Sequence, residues 1–322
     1  MSFAVGVALI AFLATRFELD WSRTLENVRT MNPLLYLVAG LCYYLSFGFR
    51  GLRWRILSQN AGIETTPDRQ LPTVIQYSQF IIIGWFVNSV AWLRLGDAYR
   101  AYTLSDETRS SFSWSLGTIF AERIMDMATI FGLMLVGAIA FSLTSDFSSI
   151  VYIVGAAFGM ATVLGAVMLT MRGYGPRIAQ FLPARIRSAY KEFQNGTLGS
   201  FESLRLPLLL SIVGWLLEIG RLYFVVQALG FDIPLSLVLV AALGHAILST
   251  VPTPGGIGAV EPGVTGILIL GMTRHDAASV ALLDRSITYL SVIVIGGIIF
   301  LIWNINRSRR KRALLSNEEP AQ

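Results

Sequence analysis

The chain has 322 residues, of which 54% are hydrophobic and 14% charged, where a soluble domain carries about a quarter of its residues as charges. Its 25 basic and 20 acidic side chains are too few to clothe a soluble body of this size. The same composition excludes a disordered chain, a coiled coil and a disulfide scaffold.

A bilayer core of about 30 Å takes roughly 20 apolar residues per helix, so the sequence has room for about eight spans. A β-barrel would alternate apolar and polar residues, whereas Val151–Met171 and Leu206–Leu229 are solidly apolar. The prediction is an all-α polytopic membrane protein. The single Cys42 and the two histidines, His245 and His275, allow no intramolecular disulfide and argue against a metal centre. No cofactor and no nucleic-acid partner are expected.

In chain order the candidate segments are Met1–Phe17, Pro33–Phe49, Thr73–Leu93, Trp114–Leu143, Ile150–Met171, Leu206–Leu229, Pro234–Val251, Ile257–Met272 and Ala277–Asn304. The first has no basic leader and is expected to stay as a helix rather than be cleaved. Lys and Arg collect in cytoplasmic loops. This rule places three stretches inside: the one holding Arg50, Arg53, Arg55 and Arg69, the loop from Arg172 to Arg205, and the basic tail 305–322 with Arg307, Arg309, Arg310, Lys311 and Arg312. The base-free connections near Asp146 and Asp232 then lie outside. With those sides assigned, Thr73–Leu93 must dip into the membrane and return to the cytoplasm. Pro234–Val251 and Ile257–Met272 together must do the same from outside. Re-entrant segments of this kind survive only when protein buries them or when they line a wet cavity.

The two dips read as halves of a duplication within a single membrane domain, residues 1–304, with repeat one about 33–143 and repeat two about 205–303. Arg53 precedes Gln59 by six residues and Gly62 by nine; Arg221 precedes Gln227 and Gly230 by the same distances. Gly96 lies 26 residues before Glu122-Arg123, and Gly258 lies 26 before Asp284-Arg285. One half starts with a helix running inward and the other with a helix running outward. These are inverted-topology repeats with two re-entrant helical hairpins, the plan of many secondary transporters, whose substrate sites sit where broken helices meet.

The chemistry concentrates at the two dips. Val251-Pro252-Thr253-Pro254-Gly255-Gly256-Ile257-Gly258, ending at Glu261, cannot continue a helix. It is expected to leave backbone N–H groups free for an anion at the start of the next half-helix, with Gly256 and Gly258 as the closest backbone approach; a tight packing turn is the plainer reading. The first dip carries Asn88, Arg94, Asp97 and Arg100, and the following helix carries Glu122, Arg123 and Asp126. Glu218 with Arg221, three apart, is expected to pair within a helix. Charge held inside a membrane is costly and by default marks function. An ion-pair network that only braces the bundle is the alternative. The segment Gly173–Ser203, with Phe181, Ile186, Tyr190 and Phe193 among its bases, reads as lying along the inner headgroups. Two small-residue runs, Gly132–Gly137 and Gly296-Gly297, offer either a homodimer face or internal packing.

Arg53-Trp54-Arg55, Asn88 with Leu93-Arg94-Leu95-Gly96-Asp97 and Arg100, Glu122-Arg123-Ile124-Met125-Asp126, and the proline–glycine stretch with Glu261 resemble the membrane domain of the lysylphosphatidylglycerol synthase/flippase family, also called flippase-like or UPF0104. The resemblance covers about residues 1–304. It departs from the family pattern at Trp92, where members usually carry proline. The soluble aminoacyl-transferase domain of bifunctional members has no counterpart in residues 305–322. The resemblance therefore implies lipid translocation rather than lysyl transfer, with an anionic phospholipid or lipid-linked headgroup as partner. Arg94, Arg123 and Arg285 are expected to hold a phosphate; Asp97, Glu122, Asp126, Glu261 and Asp284 orient them or meet a cationic headgroup. A cell-membrane location with the C-terminus cytoplasmic follows. The alternative is a membrane enzyme, or its accessory subunit, acting on lipid-linked sugars.

Overall fold

The computed structural model describes residues 21–62, 71–142 and 150–318. The expected span Met1–Phe17, Arg69 and the connection near Asp146 lie outside the described residues. Within them the protein is helical, with no strand, and it is an all-α polytopic membrane protein.

Short α1 (Trp21–Thr30) leads into α2 (Pro33–Asn60). Asn32 caps α2 by accepting hydrogen bonds from Leu34 N at 3.0 Å and Leu35 N at 3.3 Å, and Pro33 supplies a preset first turn. Then come α3 (Val74–Val90), α4 (Leu95–Thr108), α5 (Phe112–Ser142), α6 (Ile150–Gln180), α7 (Ala184–Gly199), α8 (Arg205–Ala228), α9 (Leu235–Leu248), a 3-10 turn (Pro254–Gly256), α10 (Val260–Leu268), α11 (Arg274–Arg285), a π-helical stretch (Ser286–Gly296) and α12 (Gly297–Glu318). A reciprocal cap starts α3: Thr73 Oγ1 accepts from Gln76 N at 3.3 Å while Gln76 Oε1 accepts from Thr73 N at 2.8 Å, satisfying two donors that a helix start leaves open.

The centre is the antiparallel pair α2 and α8. Asn32 N, at the start of α2, donates to Ala228 O at the end of α8 at 2.8 Å. At the other end Asn60 Nδ2 donates to Ser200 O and Ser203 O, at 3.2 and 2.9 Å, just before α8 begins. Both helices terminate on a left-handed glycine, Gly62 at φ 81° and Gly230 at φ 76°, a conformation that side chains penalise. These are the two glycines at matched spacing in the sequence.

Two helix–turn–helix units flank this pair. In α3–α4 the helices have 17 and 14 residues, and in α9–α10 they have 14 and 9. At 1.5 Å per residue each falls short of a hydrocarbon core of about 30 Å. By length and composition, α2, α8 and the continuous run Arg274–Arg309 suffice to cross. The α3–α4 turn is tight because both helices carry glycine at the contact. A Cβ on Gly96 would lie 1.9 Å from Gly84 O.

Three glycines of the small-residue runs pack inward. A Cβ on Gly137 would meet Leu239 at 2.3 Å, and Cβ atoms on Gly296 and Gly297 would meet Phe86 at 2.8 and 3.3 Å. Gly132 has nothing within 4 Å. The stretch Gly173–Ser203 divides. α6 runs on to Gln180, beyond the expected end at Met171, and Phe181 and Ile186 are exposed. Farther on, Gly196 and Thr197 are buried against α5, where a Cβ on Gly196 would lie 2.2 Å from Trp114 O.

Candidate functional site

A cavity of about 370 Å³ opens between the two helix–turn–helix units. The units touch at their turns, where Arg94 Nη1 donates to Ser249 O at 2.6 Å; beside them the Tyr289 hydroxyl, from the π-helical stretch, donates to Ser89 O at 3.2 Å. Five described arginines line the cavity: Arg50 from α2, Arg94 from the first turn, Arg123 from α5, Arg221 from α8 and Arg285 from α11. Asp97, Asp126 and Glu218 are the carboxylates in the described lining, and Tyr43, Trp85, Trp215 and His245 join them. Met160 and Leu164 of α6 give one wall an apolar face.

The charges in the wall and behind it form two networks. On the first side, Arg53 of α2 is 1% exposed; its Nη1 donates to Asp126 Oδ1 at 2.7 Å and to Ser211 Oγ at 2.7 Å, and its Nη2 lies 3.6 Å from Glu122 Oε1. Arg100 is fully buried over the Trp54 ring, 4.3 Å from its centroid, and grips Glu122 with both Nη atoms at 2.8 and 3.3 Å. Such two-pronged pairs are strong and directional. Trp215 Nε1 adds a bond to Asp126 Oδ1 at 3.2 Å.

On the second side, Glu218 receives Arg50 Nη2 at 3.3 Å and Arg221 Nε at 3.1 Å. Arg221 also pairs with Asp284, and Asp284 Oδ2 lies 3.0 Å from His245 Nδ1. Arg50 sits between two indoles, 4.7 Å from Trp215 and 5.5 Å from Trp85.

The proline–glycine turn is occupied by the protein's own side chains. Gly258 N, at φ 85°, donates to Glu261 Oε2 at 2.8 Å. Glu261 Oε1 meets Arg285 Nε at 2.8 Å, and Arg285 Nη2 donates to Gly255 O at 2.9 Å. The expected free donors at the start of α10 are thus taken at Gly258 by a carboxylate, the anion that a helix start attracts. Gly255 lines the cavity; Gly256 and Gly258 do not. On the first unit Asn88 Oδ1 accepts from Gly96 N at 2.8 Å, so Asn88 braces the turn as well as lining the cavity.

Of the residues singled out in the sequence, Asn88, Arg94, Asp97, Arg123, Asp126 and Arg285 line the cavity. Arg100, Glu122, Glu261 and Asp284 stand behind it: Glu261 holds Arg285 and Asp284 holds Arg221, while Arg100 and Glu122 hold each other. Arg50 and Arg53, expected beyond the inner end of α2, lie inside it, because acids of α5 and α8 close over them. Arg50, Trp85, Trp215 and His245 escaped the sequence reading. The signal for Arg50 was its place three residues before Arg53, on the same helix face.

Asp97 organises the open side. Arg123 Nη2 reaches it at 2.8 Å, Arg100 Nη1 at 3.5 Å and Arg94 Nε at 4.0 Å. One carboxylate serves three guanidiniums. Arg100 is already answered by Glu122, and Arg123 stands closest to Asp97. Of the five described arginines that line the cavity, Arg94 has its acid farthest away, and its side chain is 27% exposed.

A model of the lysylphosphatidylglycerol synthase TM region matches residues 1–296. A UPF0104 membrane protein of Methanocaldococcus jannaschii is 28% identical over 232 residues, 67% of this chain and 94% of its own. A UPF0104 membrane protein of Methanothermobacter thermautotrophicus is 23% identical over 91% of this chain and 92% of its own. The glycosyltransferase AglD of Haloferax volcanii is 23% identical over 91% of this chain, which spans 52% of that protein.

Proposed function

Because the chain belongs to the family of the lysylphosphatidylglycerol synthase TM region, we propose that it is a lipid transporter of the cell membrane, moving a phospholipid or lipid-linked headgroup between leaflets. The observation that carries this reading is Arg94. It is an arginine between two short helix pairs, facing a cavity and lacking a close acid of its own. A phosphate oxygen would supply the missing anion, and a guanidinium fork suits it. Arg123 and Arg285 flank the same space, each steadied by its carboxylate. The headgroup would sit between the two turns while its acyl chains stay in the bilayer along the apolar α6 wall.

In this reading α3–α4 and α9–α10 are re-entrant hairpins of an inverted repeat, entering from opposite sides. The basic α6–α8 connection and the C-terminal tail face the cytoplasm. Alternating access would come from one repeat rocking on the other about the α2–α8 pair.

The test is reconstitution in phosphatidylcholine vesicles with tail-labelled fluorescent phosphatidylglycerol, following the fraction that an impermeant quencher reaches. Leaflet exchange well above protein-free vesicles is expected, with the lipid chemically unchanged. Exchange at the protein-free rate overturns the reading. A modified lipid in its place would favour action on lipid-linked sugars, a role to which the glycosyltransferase relative gives support.

A further inference from the structure

Resting on that transport reading, we infer that His245 is the proton-binding group that couples headgroup movement to protons: the lipid enters with one proton and leaves with it.

The argument starts from what can change charge. Guanidiniums stay protonated throughout the physiological range, and in the described lining five arginines face three carboxylates, so the cavity keeps an excess of positive charge. An anion that binds it well has no reason to leave. Release needs a group whose charge switches. Among the described residues that line the cavity, His245 alone has a side chain whose ordinary titration lies near neutral pH.

Its surroundings set two opposed pulls. His245 stands in the last turn of α9, where the helix dipole favours a cation, and its Nδ1 is 3.0 Å from Asp284 Oδ2. Against these stand its burial, at 9% exposed, then Arg221, which shares Asp284, and Arg285, which follows Asp284 in the chain. α9 packs against α5, α6, α8 and α10. α5 brings Arg123 and Asp126 to the cavity, and α8 brings Glu218 and Arg221. α10 carries Glu261 on Arg285. α6 offers Met160 and Leu164, which carry no charge.

A further positive charge is costly in the empty cavity and favourable beside a bound anion. Lipid binding and protonation therefore assist each other, and the assistance is reciprocal. In the neutral ring one nitrogen carries the hydrogen, and the other takes a proton from water on the side of entry. Opening to the other leaflet lets that proton return to water there. The imidazole is neutral again, and the anion faces a cavity one charge poorer. π-helical backbone begins at Ser286, two residues after Asp284; such stretches often mark places where a helix shifts register at a functional site.

The experiment is calorimetric titration of the purified full chain with dioctanoyl phosphatidylglycerol near neutral pH, in buffers of different ionisation enthalpy. The wild type should take up close to one proton per lipid bound. His245→Gln and His245→Arg should take up none, whatever their affinity. In vesicles, an imposed pH gradient should change the wild-type exchange rate several-fold and leave both variants indifferent to it. Lipid binding or exchange by the wild type with no proton uptake and no response to the gradient overturns the coupling and leaves the transport reading standing. Uptake that persists in both variants overturns the assignment to His245. Failure of the wild type to bind or move lipid removes the transport reading, and the coupling falls with it.

Discussion

Arg53 and Arg94 carry the same side chain and do opposite work. Arg53 is sealed among Asp126, Glu122 and Ser211, so removing it leaves two buried acids short of a partner. That loss typically costs about 3–5 kcal/mol. Arg53→Gln should therefore lower the melting temperature in detergent with or without phosphatidylglycerol. Arg94 faces the cavity with its nearest acid 4.0 Å away. In Arg94→Gln the lipid-free melting temperature should hold or rise, and the increment that phosphatidylglycerol adds by mass action should vanish. A lower lipid-free melting temperature with the increment intact would show that Arg94 only braces the two turns. The sequence made Arg94, Asp97, Arg123, Asp126 and Arg285 visible, as charges in apolar surroundings. It could not show that Arg100 and Glu122 face each other behind the wall, nor that Arg50 meets Glu218. Those contacts depend on how helices distant in sequence pack, and windows of hydropathy carry no trace of that.

At the scale of elements, the starts at Pro33 and Thr73 are legible in the sequence, and their caps, Asn32-Pro33 and Thr73 with Gln76, need only their own neighbours. The return of the first unit is not: Thr73–Leu93 reads as dipping and returning alone, whereas Val74–Val90 is one helix and Leu95–Thr108, too polar to stand out by hydropathy, makes the return. The ends were less legible. Pro33–Phe49 grew into Pro33–Asn60 because Arg50 and Arg53 look like a boundary until their acids are seen. The tightest element is the α3–α4 turn. Gly96→Ala would drive a methyl toward Gly84 O, and overpacking against backbone costs about 3 kcal/mol. Gly132→Ala, in open space inside a helix, should hold stability or raise it slightly. Comparing the two melting curves checks this. The second turn is constrained by backbone conformation, since Gly258 has φ 85° and its N–H is held by Glu261. Gly258→Val should abolish leaflet exchange while membrane insertion stays near normal; full exchange would reduce the turn to packing. Labelling tests the re-entrant reading. On a Cys42→Ser background, cysteines at Thr73 and Ser105 should react with an impermeant reagent from one side of the membrane. Cysteines at Asp232 and His275 should react from the other. A split within either pair would end the inverted repeat.

The whole molecule is held together where α2 crosses α8, and one contact there bears on how the two halves recognise each other. Laying Arg53 over Arg221 also lays Arg50 over Glu218, since each stands three residues earlier. Those two matched positions touch across the crossing at 3.3 Å. If the two halves are inverted repeats, as proposed above, a residue near the axis would meet its own counterpart, so two copies of the first half would set Arg50 against Arg50, and two copies of the second Glu218 against Glu218. Like charges buried together repel strongly, whereas the mixed pair attracts. On the inverted-repeat reading, the crossing would reject self-pairing of either half. When the chain is expressed as separate fragments 1–145 and 146–322 with different tags, each should capture the other and neither should capture itself. Exchanging the charges, Arg50→Glu together with Glu218→Arg, should preserve that pairing, while Arg50→Glu alone should abolish it.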